Sequence, residues 1–408
     1  MVKILQIDSC LGILSTGKIT ESIGLLAKKR GWEYYVAHGG RYVGKSQMRS
    51  IQITSKWGEY AHYAKSLIFD AHGLGSTAAT IKFVEKIKEI NPDIIHLHCI
   101  HGYYLNYKIL FEYLRTAKTP VVWTFHDCWA MTGHCAHFDA AGCERWKTGC
   151  YECPLKSDYP RSICKDSSKE NYKLKKELFT SLDNITIVTV SEWLTYIVRQ
   201  SFMSKYPIEL INNGIDIETF KPCRNDLKQK YGIENKFVMI AVASQWSEKK
   251  GLYDYIELSK RLSDEYQLIF VGVDNCYKKD IPSNIITIRR TDSQKELAKL
   301  YSAADIVLNL SYEETFGLTT VEGFACGTPG IVYNRTASPE LITEETGIVV
   351  EKGNYKQLIN AIETIKKNGK QHYSAACRER AVNFYNKDDK FNEYIELYNS
   401  LIMGNNRL

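Results

Sequence analysis

Strands and helices alternate along almost the whole chain, and this alternation limits the fold more than any other feature of the sequence. In the first half, an apolar run at residues 2–8 reads as a buried strand, and residues 17–31 have the apolar spacing of a helix. A second alternating series begins near residues 208–211 and continues to residues 348–350. Because alternating strands and helices build parallel βαβ units, the pattern predicts the α/β class, with two Rossmann-like domains.

The alternation also predicts how the chain is divided. We expect an N-terminal Rossmann-like domain over residues 1–207, a C-terminal one over residues 208–386, and a closing helix over residues 387–408 that returns towards the first domain. Two such domains are expected to face each other across a cleft, with ligands at the carboxyl ends of the strands. Residues 128–168 interrupt the first series and are rich in Cys, Gly and His, so they predict an inserted module.

Charge and hydropathy restrict the partners. No apolar run approaches the roughly 18 residues that span a membrane, and the start turns polar at once, which favours a first strand over a signal peptide and hence a cytoplasmic protein. Residues 1–207 hold 27 Lys and Arg against 19 Asp and Glu, whereas residues 208–408 hold 26 against 28. The basic half is consistent with an ordinary solvated surface or with an anionic partner such as a phosphorylated membrane lipid.

Residues 314–329 carry the clearest chemical signal. Glu314 and Glu322 stand eight positions apart, and between them a Phe-Gly-Leu turn at residues 316–318 leads into a short helix. A helix N-terminus offers free N–H groups and partial positive charge to a diphosphate, and Gly317 lets the backbone approach it closely. Glu322, about two helical turns further on, can accept hydrogen bonds from the ribose hydroxyls of a nucleotide. Glu314 precedes the turn, where the sugar attached to the far phosphate would lie. The segment predicts a nucleotide-sugar site.

Several segments together resemble the large retaining glycosyltransferase family numbered four, which has the GT-B fold. The resemblance is carried by residues 314–329, by Asn213-Gly-Ile-Asp with Phe220-Lys-Pro, by residues 243–251 and by residues 300–308. It covers nearly all of the C-terminal half and is looser in the N-terminal half. The insert, with Thr132-Gly-His-Cys and Cys153-Pro, resembles a bacterial subgroup of capsule and exopolysaccharide assembly.

The resemblance implies a retaining hexosyl transfer from a UDP- or GDP-sugar to a saccharide on a polyprenyl diphosphate, at the cytoplasmic face of the membrane. It makes the first domain the acceptor side and the second the donor side. It implies catalysis without a divalent metal, and the chain has no Asp-x-Asp pair. The residues implied to be catalytic are Glu314 and His126. Those implied to bind the donor are Lys250, Phe316, Gly317, Leu318, Glu322, Thr291 and Gly17.

Two departures from the family pattern affect the diphosphate site. The family usually carries an Arg five positions before the lysine that binds the diphosphate, but here that position is Gln245. Lys250 is therefore expected to neutralise more charge, or Lys249 or Lys18 to assist. The family's Gly-Gly near the first strand is reduced to Ser-Thr-Gly-Lys at residues 15–18.

The chain has twelve cysteines, five of them between residues 128 and 153. Disulfides are not expected in a reducing compartment, and thiols at this spacing suit a tetrahedral metal site. We expect Cys135, Cys143, Cys150 and Cys153 to hold a structural zinc ion in an insert that lacks an apolar core of its own. The alternative is four free thiols packed as small apolar groups. Further candidate ligands are Cys128, His134 and His137.

The sequence also allows two other functions besides sugar transfer. A nucleotide-sugar epimerase shares the architecture and needs no acceptor. A zinc-ribbon module binding nucleic acid is a weaker alternative, because the chain outside the insert has no basic stripe and nucleic acid is not an expected partner. A dehydrogenase is disfavoured by the spacing of Gly12 and Gly17. His96, His98 and His101 are interpreted as core and cleft histidines without metal.

Overall fold

The protein consists of two compact units, as seen in a computed structural model that describes residues 1–274 and 277–405. Unit 1 comprises residues 1–212 together with the C-terminal segment from Lys390, and unit 2 comprises Asn213–Asp389. Each unit contains one large sheet, of seven strands in unit 1 and six in unit 2. The predicted α/β class is confirmed.

The large sheet of unit 1 is parallel throughout, in the order β5-β3-β1-β6-β7-β8-β9, and β2 pairs separately with β4. Its apolar strands are buried, as expected for a sheet that helices cover. The strands are β1 (Lys3–Ile7), β2 (Cys10–Leu11), β3 (Glu33–His38), β4 (Tyr42–Val43), β5 (Arg49–Gln52), β6 (Ile94–Leu97), β7 (Val121–Phe125), β8 (Ile185–Thr189) and β9 (Ile208–Leu210). The helices are α1 (Leu14–Lys29), α2 (Lys56–Phe69), α3 (Thr77–Ile90), α4 (Tyr107–Leu114), α5 (Ser168–Phe179) and α6 (Glu192–Gln200).

Unit 2 repeats the parallel arrangement, in the order β12-β11-β10-β13-β14-β15. The strand order reverses direction beside β10, which is the kind of position where open α/β sheets bind ligands. Its strands are β10 (Phe237–Val242), β11 (Tyr266–Val271), β12 (Ile286–Ile288), β13 (Ile306–Asn309), β14 (Gly330–Tyr333) and β15 (Gly347–Val350). Its helices are α7 (Leu227–Lys230), α8 (Leu252–Ser259), α9 (Gln294–Ala303), α10 (Leu318–Ala325), α11 (Tyr355–Asn368) and α12 (Lys370–Tyr385).

The last helix, α13 (Lys387–Asn405), packs into the core of unit 1. Phe391, Tyr394 and Tyr398 are almost fully buried there, in the cluster that also contains Ile4 of β1. Burial of these rings contributes a large apolar area. From Lys390 onwards the helix therefore belongs to unit 1, although it follows unit 2 in the sequence.

Local capping moves two helix boundaries away from those that apolar spacing predicts. Spacing predicts one helix over residues 103–117, but α4 starts only after Asn106, whose side chain accepts hydrogen bonds from the next turn's N–H groups. Spacing predicts another over residues 248–262, but Gly251 adopts φ +75 and separates a 3-10 turn from α8. No element was predicted for residues 38–76, which contain β4, β5 and α2.

Within the described residues, no helix combines the length and the apolar character that crossing a membrane requires.

Candidate functional site

The candidate donor residues of unit 2 follow the carboxyl ends of its parallel strands. Lys250 comes after β10, Thr291 after β12, and Glu314 after β13. Thr291 is partly exposed in the loop that leads into α9. Ligands of open α/β sheets bind at this edge, so the fold places these side chains where a donor is expected.

Lys250 and Glu314 form an ion pair within unit 2. Nζ of Lys250 lies 2.6 Å from Oε1 of Glu314. The backbone N–H of Glu314 donates to Oγ1 of Thr336 at 2.8 Å, which fixes the loop that carries the carboxylate. Because an ammonium group has three N–H donors, Lys250 can hold Glu314 and a phosphate oxygen at the same time.

The neighbouring lysine, Lys249, has a different partner. Its Nζ lies 3.2 Å from Oε2 of Glu313, whose side chain is only 4% exposed. A buried carboxylate needs a counter-charge, and Lys249 supplies it to Glu313. The charge of Lys249 is therefore less available to a bound diphosphate. Gln245 and Lys18 are both exposed, and Lys18 belongs to α1 of unit 1.

Gly317 precedes α10 with φ +102, a conformation that L side chains rarely adopt. A Cβ at this position would lie 2.9 Å from Cδ1 of Leu341. Phe316 is buried, and its ring centroid lies 5.6 Å from that of Tyr385. The buried ring and the glycine fix the turn, so the backbone N–H groups of Phe316, Gly317 and Leu318 come together at one helix N-terminus.

Glu322 is held by a tyrosine that the sequence analysis did not single out. The buried hydroxyl of Tyr301, on α9, donates to Oε2 of Glu322 at 2.9 Å. Burial first, and then the charge of Glu322, raises the pKa of Tyr301 well above its usual value, so the hydroxyl stays protonated and remains a donor. Tyr301 lies in the segment 300–308 that carried the family resemblance, which is the signal that would have found it.

His126 of unit 1 follows β7 and is joined to a chain of polar groups. Nδ1 of His98 lies 3.0 Å from Nε2 of His126, and Nε2 of His98 lies 2.6 Å from Oε1 of Gln6. Since the other end of the Gln6 amide donates to the Thr20 carbonyl, Oε1 accepts from His98 Nε2–H. His98 Nδ1 must then accept from His126 Nε2–H, which leaves the lone pair of His126 on Nδ1.

Burial keeps this histidine chain neutral. It lowers the pKa of His126 to about 4 and holds the pKa of His98 well below its usual value. His96, also buried, bonds to the Tyr398 hydroxyl and to Oγ1 of Thr124. A neutral His126 is suited to hydrogen bonding with a sugar hydroxyl rather than to pairing with a phosphate charge.

Gly17 lies in the first turns of α1 against the loop after β1. A Cβ there would meet Sγ of Cys10 at 3.1 Å and the backbone N of Gly12 at 3.2 Å, so only a small residue fits without a shift. Asp8 at the end of β1 is buried, and burial raises its pKa to about 6. The edge around Gly17 therefore contains a carboxyl group that titrates near neutral pH.

A metal ion is bound by three or more ligand atoms that lie close together. In the described chain, one group has three or more potential ligand atoms that all lie within 4.8 Å of one another: Cys99, His101 and Asp127. Both imidazole nitrogens of His101 already have partners: Nε2 contacts Asp127 at 2.8 Å and Nδ1 contacts the Tyr159 hydroxyl at 3.0 Å. Burial alone would raise the pKa of Asp127, but His101 lowers it well below its usual value. This group is a hydrogen-bonded cluster of its own rather than an open set of ligands.

The four predicted zinc ligands, Cys135, Cys143, Cys150 and Cys153, line one small cavity in the insert. They do not form a set of three ligand atoms within 4.8 Å of one another. The expectation that the insert lacks its own apolar core is wrong. Phe138 and Trp146 are almost fully buried and stack with ring centroids 4.8 Å apart beside the thiols.

A buried lysine attaches the insert to α5. Nζ of Lys175 donates to the carbonyls of Trp129 at 2.7 Å and Thr132 at 3.0 Å, and lies 3.4 Å from the Trp129 ring centroid. Burial lowers the pKa of Lys175 to about 7. Two carbonyl oxygens and an aromatic face contact the ammonium directly, and these contacts fix the start of the insert.

Two family models together cover most of the chain. The model described as Glycosyltransferase Family 4 matches residues 26–219, and the model described as Glycosyl transferases group 1 matches residues 224–384.

Among curated proteins, the putative colanic acid biosynthesis glycosyl transferase WcaC of Escherichia coli K12 is 26% identical over 66% of this chain and 66% of its own length. An uncharacterized 41.2 kDa protein in the cps region of Klebsiella pneumoniae is 24% identical over 83% of this chain and 88% of its own. The Escherichia coli UDP-Gal:alpha-D-GlcNAc-diphosphoundecaprenol alpha-1,3-galactosyltransferase is 26% identical over 51% and 58%. The chain thus spans less than two thirds of the length of some of these relatives.

Solved structures are similar over nearly the whole chain. Sucrose-phosphate synthase from Thermosynechococcus elongatus has a TM-score of 0.73 at 17% identity, covering 99% of this chain and 100% of its own. Anabaena HepE in complex with UDP has a TM-score of 0.69 at 16% identity, covering 98% and 100%. At these identities the likeness establishes the fold.

The parallel sheets and these matches define a glycosyltransferase with the GT-B fold, as the sequence predicted. More particularly, the chain belongs to the group 1 glycosyltransferases, family 4, which are retaining enzymes and generally work without a metal cofactor.

Proposed function

We propose that this enzyme transfers a hexose or N-acetylhexosamine from a UDP- or GDP-sugar to a saccharide on a polyprenyl diphosphate, with retention, in bacterial surface polysaccharide synthesis. The observation that carries the proposal is the Lys250–Glu314 pair, 2.6 Å long, at the same strand edge as the N-terminus of α10. It combines a cation, a carboxylate and helix N–H groups, which suit a diphosphate and the sugar attached to it.

In the proposed reaction, the bond between the anomeric carbon and the diphosphate oxygen breaks, and an acceptor hydroxyl oxygen bonds to that carbon. The acceptor hydroxyl gives its proton to an oxygen of the departing diphosphate, and the nucleoside diphosphate leaves. Lys250 and the N–H groups of Phe316, Gly317 and Leu318 stabilise the charge that develops on the leaving oxygens. Glu322, oriented by Tyr301, receives the ribose hydroxyls, and the loop around Thr291 holds the base.

Glu314 and His126 are proposed to contact the transferred sugar. Glu314 can accept hydroxyl hydrogen bonds while it remains paired with Lys250, because a carboxylate offers about four lone-pair positions. The neutral His126, whose Nδ1 carries the lone pair, is suited to accept from a sugar hydroxyl. Gly17 lets the start of α1 pack closely against Cys10 and Gly12, and we propose that the acceptor or a phosphate approaches this edge.

The acceptor class is supported by the galactosyltransferase relative, whose name specifies a diphosphoundecaprenol-linked sugar. It is also supported by the excess of basic residues in the N-terminal half, since cations near an anionic leaflet gain about 1 kcal/mol each. We propose that the enzyme works peripherally at the cytoplasmic face of the membrane.

The test begins with the donor. Thermal unfolding of the full chain is measured with UDP, GDP and a panel of their sugars, because a ligand that binds the folded state raises the melting temperature. We expect one nucleotide series to stabilise the parent and to have little effect on the Lys250→Ala variant. Equal responses of the two proteins would reject the proposed donor site.

The acceptor is then tested with the selected donor and synthetic polyprenyl-diphosphate sugars. We expect a new glycosidic bond with the anomeric configuration of the donor, assigned by NMR. Transfer only to free sugars, or an inverted product, would contradict the proposal. A change in the sugar nucleotide without any acceptor would instead identify an epimerase.

A further inference from the structure

The cavity in the cysteine-rich insert is lined by a buried histidine with an unsatisfied ring nitrogen. His134 is 2% exposed, and its buried Nε2 has no hydrogen-bond partner within the part of the chain that the structure describes. The same residue lines the cavity with the thiols of the insert. Leaving a buried imidazole nitrogen without a partner is destabilising, so its retention needs a reason.

The other nitrogen of His134 is held by a buried carboxylate. Nδ1 lies 2.6 Å from Oδ1 of Asp70, at the end of α2, and the second oxygen of Asp70 accepts the Ser167 N–H at 2.8 Å. Asp70 is therefore held in place by α2 and by the backbone at Ser167. A histidine that donates Nδ1–H to a carboxylate presents its Nε2 lone pair outward, and this is the usual arrangement behind a metal-bound histidine.

The thiols lie on the other walls of the cavity. The thiol of Cys153 forms a hydrogen bond with that of Cys135 and lies within electrostatic range of His134. The backbone N–H of Gly133 donates to Sγ of Cys150 at 3.2 Å. The Gly133 N–H can donate equally to the thiolate, which is the form of cysteine that binds metal.

We propose that the insert binds one structural zinc ion through Nε2 of His134 and the thiolates of Cys135, Cys150 and Cys153. The cavity volume of about 10 Å³ is close to that of a single water-sized sphere, so it suits one ion and no larger ligand. Cys143 also lines this cavity, but zinc in structural sites takes four ligands, and the buried histidine with its carboxylate supplies the fourth.

Zinc binding requires an inward movement of the ligands. Tetrahedral bonds of about 2.3 Å place sulfur atoms about 3.8 Å apart, whereas no three of these ligand atoms are all within 4.8 Å of one another. The segment from Cys150 to Cys153 is a short turn near the surface, and Glu152 within it has φ +44. We assign the movement to this turn, because Asp70 and the adjacent backbone fix His134.

The decisive measurement uses the intact chain. The protein is purified without chelator, its zinc content is determined, and X-ray absorption at the zinc edge gives the ligand set. We expect one zinc per chain with three sulfur ligands at about 2.3 Å and one nitrogen ligand at about 2.0 Å. Absence of zinc after growth in zinc-supplemented medium would overturn the site, and four sulfur ligands would overturn the role of His134.

Variants identify the ligands. His134→Ala and Cys153→Ser are expected to lose most of the zinc, whereas Cys143→Ser keeps it and the exposed Cys164→Ser serves as the matched thiol control. Full zinc content in His134→Ala, or its loss from Cys143→Ser, would contradict the assignment. If a variant does not fold, the absorption spectrum of the parent still decides between the ligand sets.

Discussion

Nζ of Lys250 lies 2.6 Å from Oε1 of Glu314, and the two residues come from loops that follow adjacent strands of the unit 2 sheet. The lysine side chain is 37% exposed and the glutamate 17%. A pair this accessible contributes little to folding stability. Its arrangement therefore matters chiefly for what the loops can bind.

Replacing Lys250 with alanine is expected to abolish most activity with little loss of stability. Under the proposed function, the variant lacks the cation that stabilises the leaving diphosphate, and kcat/KM falls by about 100-fold or more. Steady-state transfer kinetics and the nucleotide-induced melting shift measure the loss. The matched control is Lys260→Ala, which removes an exposed lysine of unit 2 that pairs with Glu257 three residues earlier in the chain. Comparable kinetic losses in both variants would show that Lys250 has no special role.

Tyr301→Phe tests how Glu322 is positioned. The substitution removes the hydroxyl that donates to Oε2 of Glu322 at 2.9 Å and keeps the ring in its buried position. We expect roughly 1 kcal/mol weaker donor binding, a rise in KM of about fivefold, and a nearly unchanged kcat. The control compares UDP with a 2′,3′-dideoxyribose analogue, which lacks the hydroxyls that Glu322 is proposed to bind. If the substitution lowers the affinity for both nucleotides equally, Tyr301 acts only on the fold.

Gly317→Ala is expected to damage both the turn and the donor site. The residue has φ +102, and a Cβ would lie 2.9 Å from Leu341, so we predict a loss of about 1–3 kcal/mol in unfolding free energy. Urea denaturation measures that loss, and the nucleotide-induced melting shift reports on the helix N-terminus. Gly232→Ala is the control, because Gly232 has φ +64 but open space around it. If the two alanine variants bind nucleotide equally well, the position of Gly317 does not matter for the donor.

Sequence periodicity was sufficient for the α/β class because buried parallel strands and covering helices leave strong apolar patterns. The helix Thr77–Ile90 and the strand Val121–Phe125 lie close to where spacing placed them. Spacing failed where a single residue decides the boundary. Asn106 delays the start of α4, and Gly251 divides a helix that apolar spacing joins.

The candidate site was predictable where the chemistry lies in a short segment. Glu314, Gly317 and Glu322 fall within nine consecutive residues, so their spacing could be read directly. Contacts between distant segments could not be read this way. The pairing of Asp70 with His134 joins residues 64 positions apart, and no local pattern signals it. The hydrogen bond from Tyr301 to Glu322 is hidden for the same reason.

Folding stability is expected to fall as the pH is lowered from about 6.5 towards 4, with His62 as a main contributor. Nε2 of His62 accepts the N–H of Gly75 at 2.9 Å, so protonation at Nε2 would place two N–H groups against each other. Burial lowers the pKa of His62 to about 4, below its usual 6.5. The unfolded chain therefore binds this proton first, and the loss approaches about 3 kcal/mol once the pH reaches the folded pKa.

Other buried groups alter the size of this pH effect but not its direction. Burial also lowers the pKa of His126 to about 4, which adds to the loss, whereas the pKa of Asp8 raised to about 6 opposes it. Unfolding free energies from urea titrations at pH 7, 6 and 5 measure the slope. His62→Gln should make it shallower by up to about 1.4 kcal/mol per pH unit, and His372→Gln, which changes an exposed histidine of α12, should leave it unchanged. Parent stability that is constant or rises from pH 7 to pH 5 would show that these histidines are not held neutral by the fold.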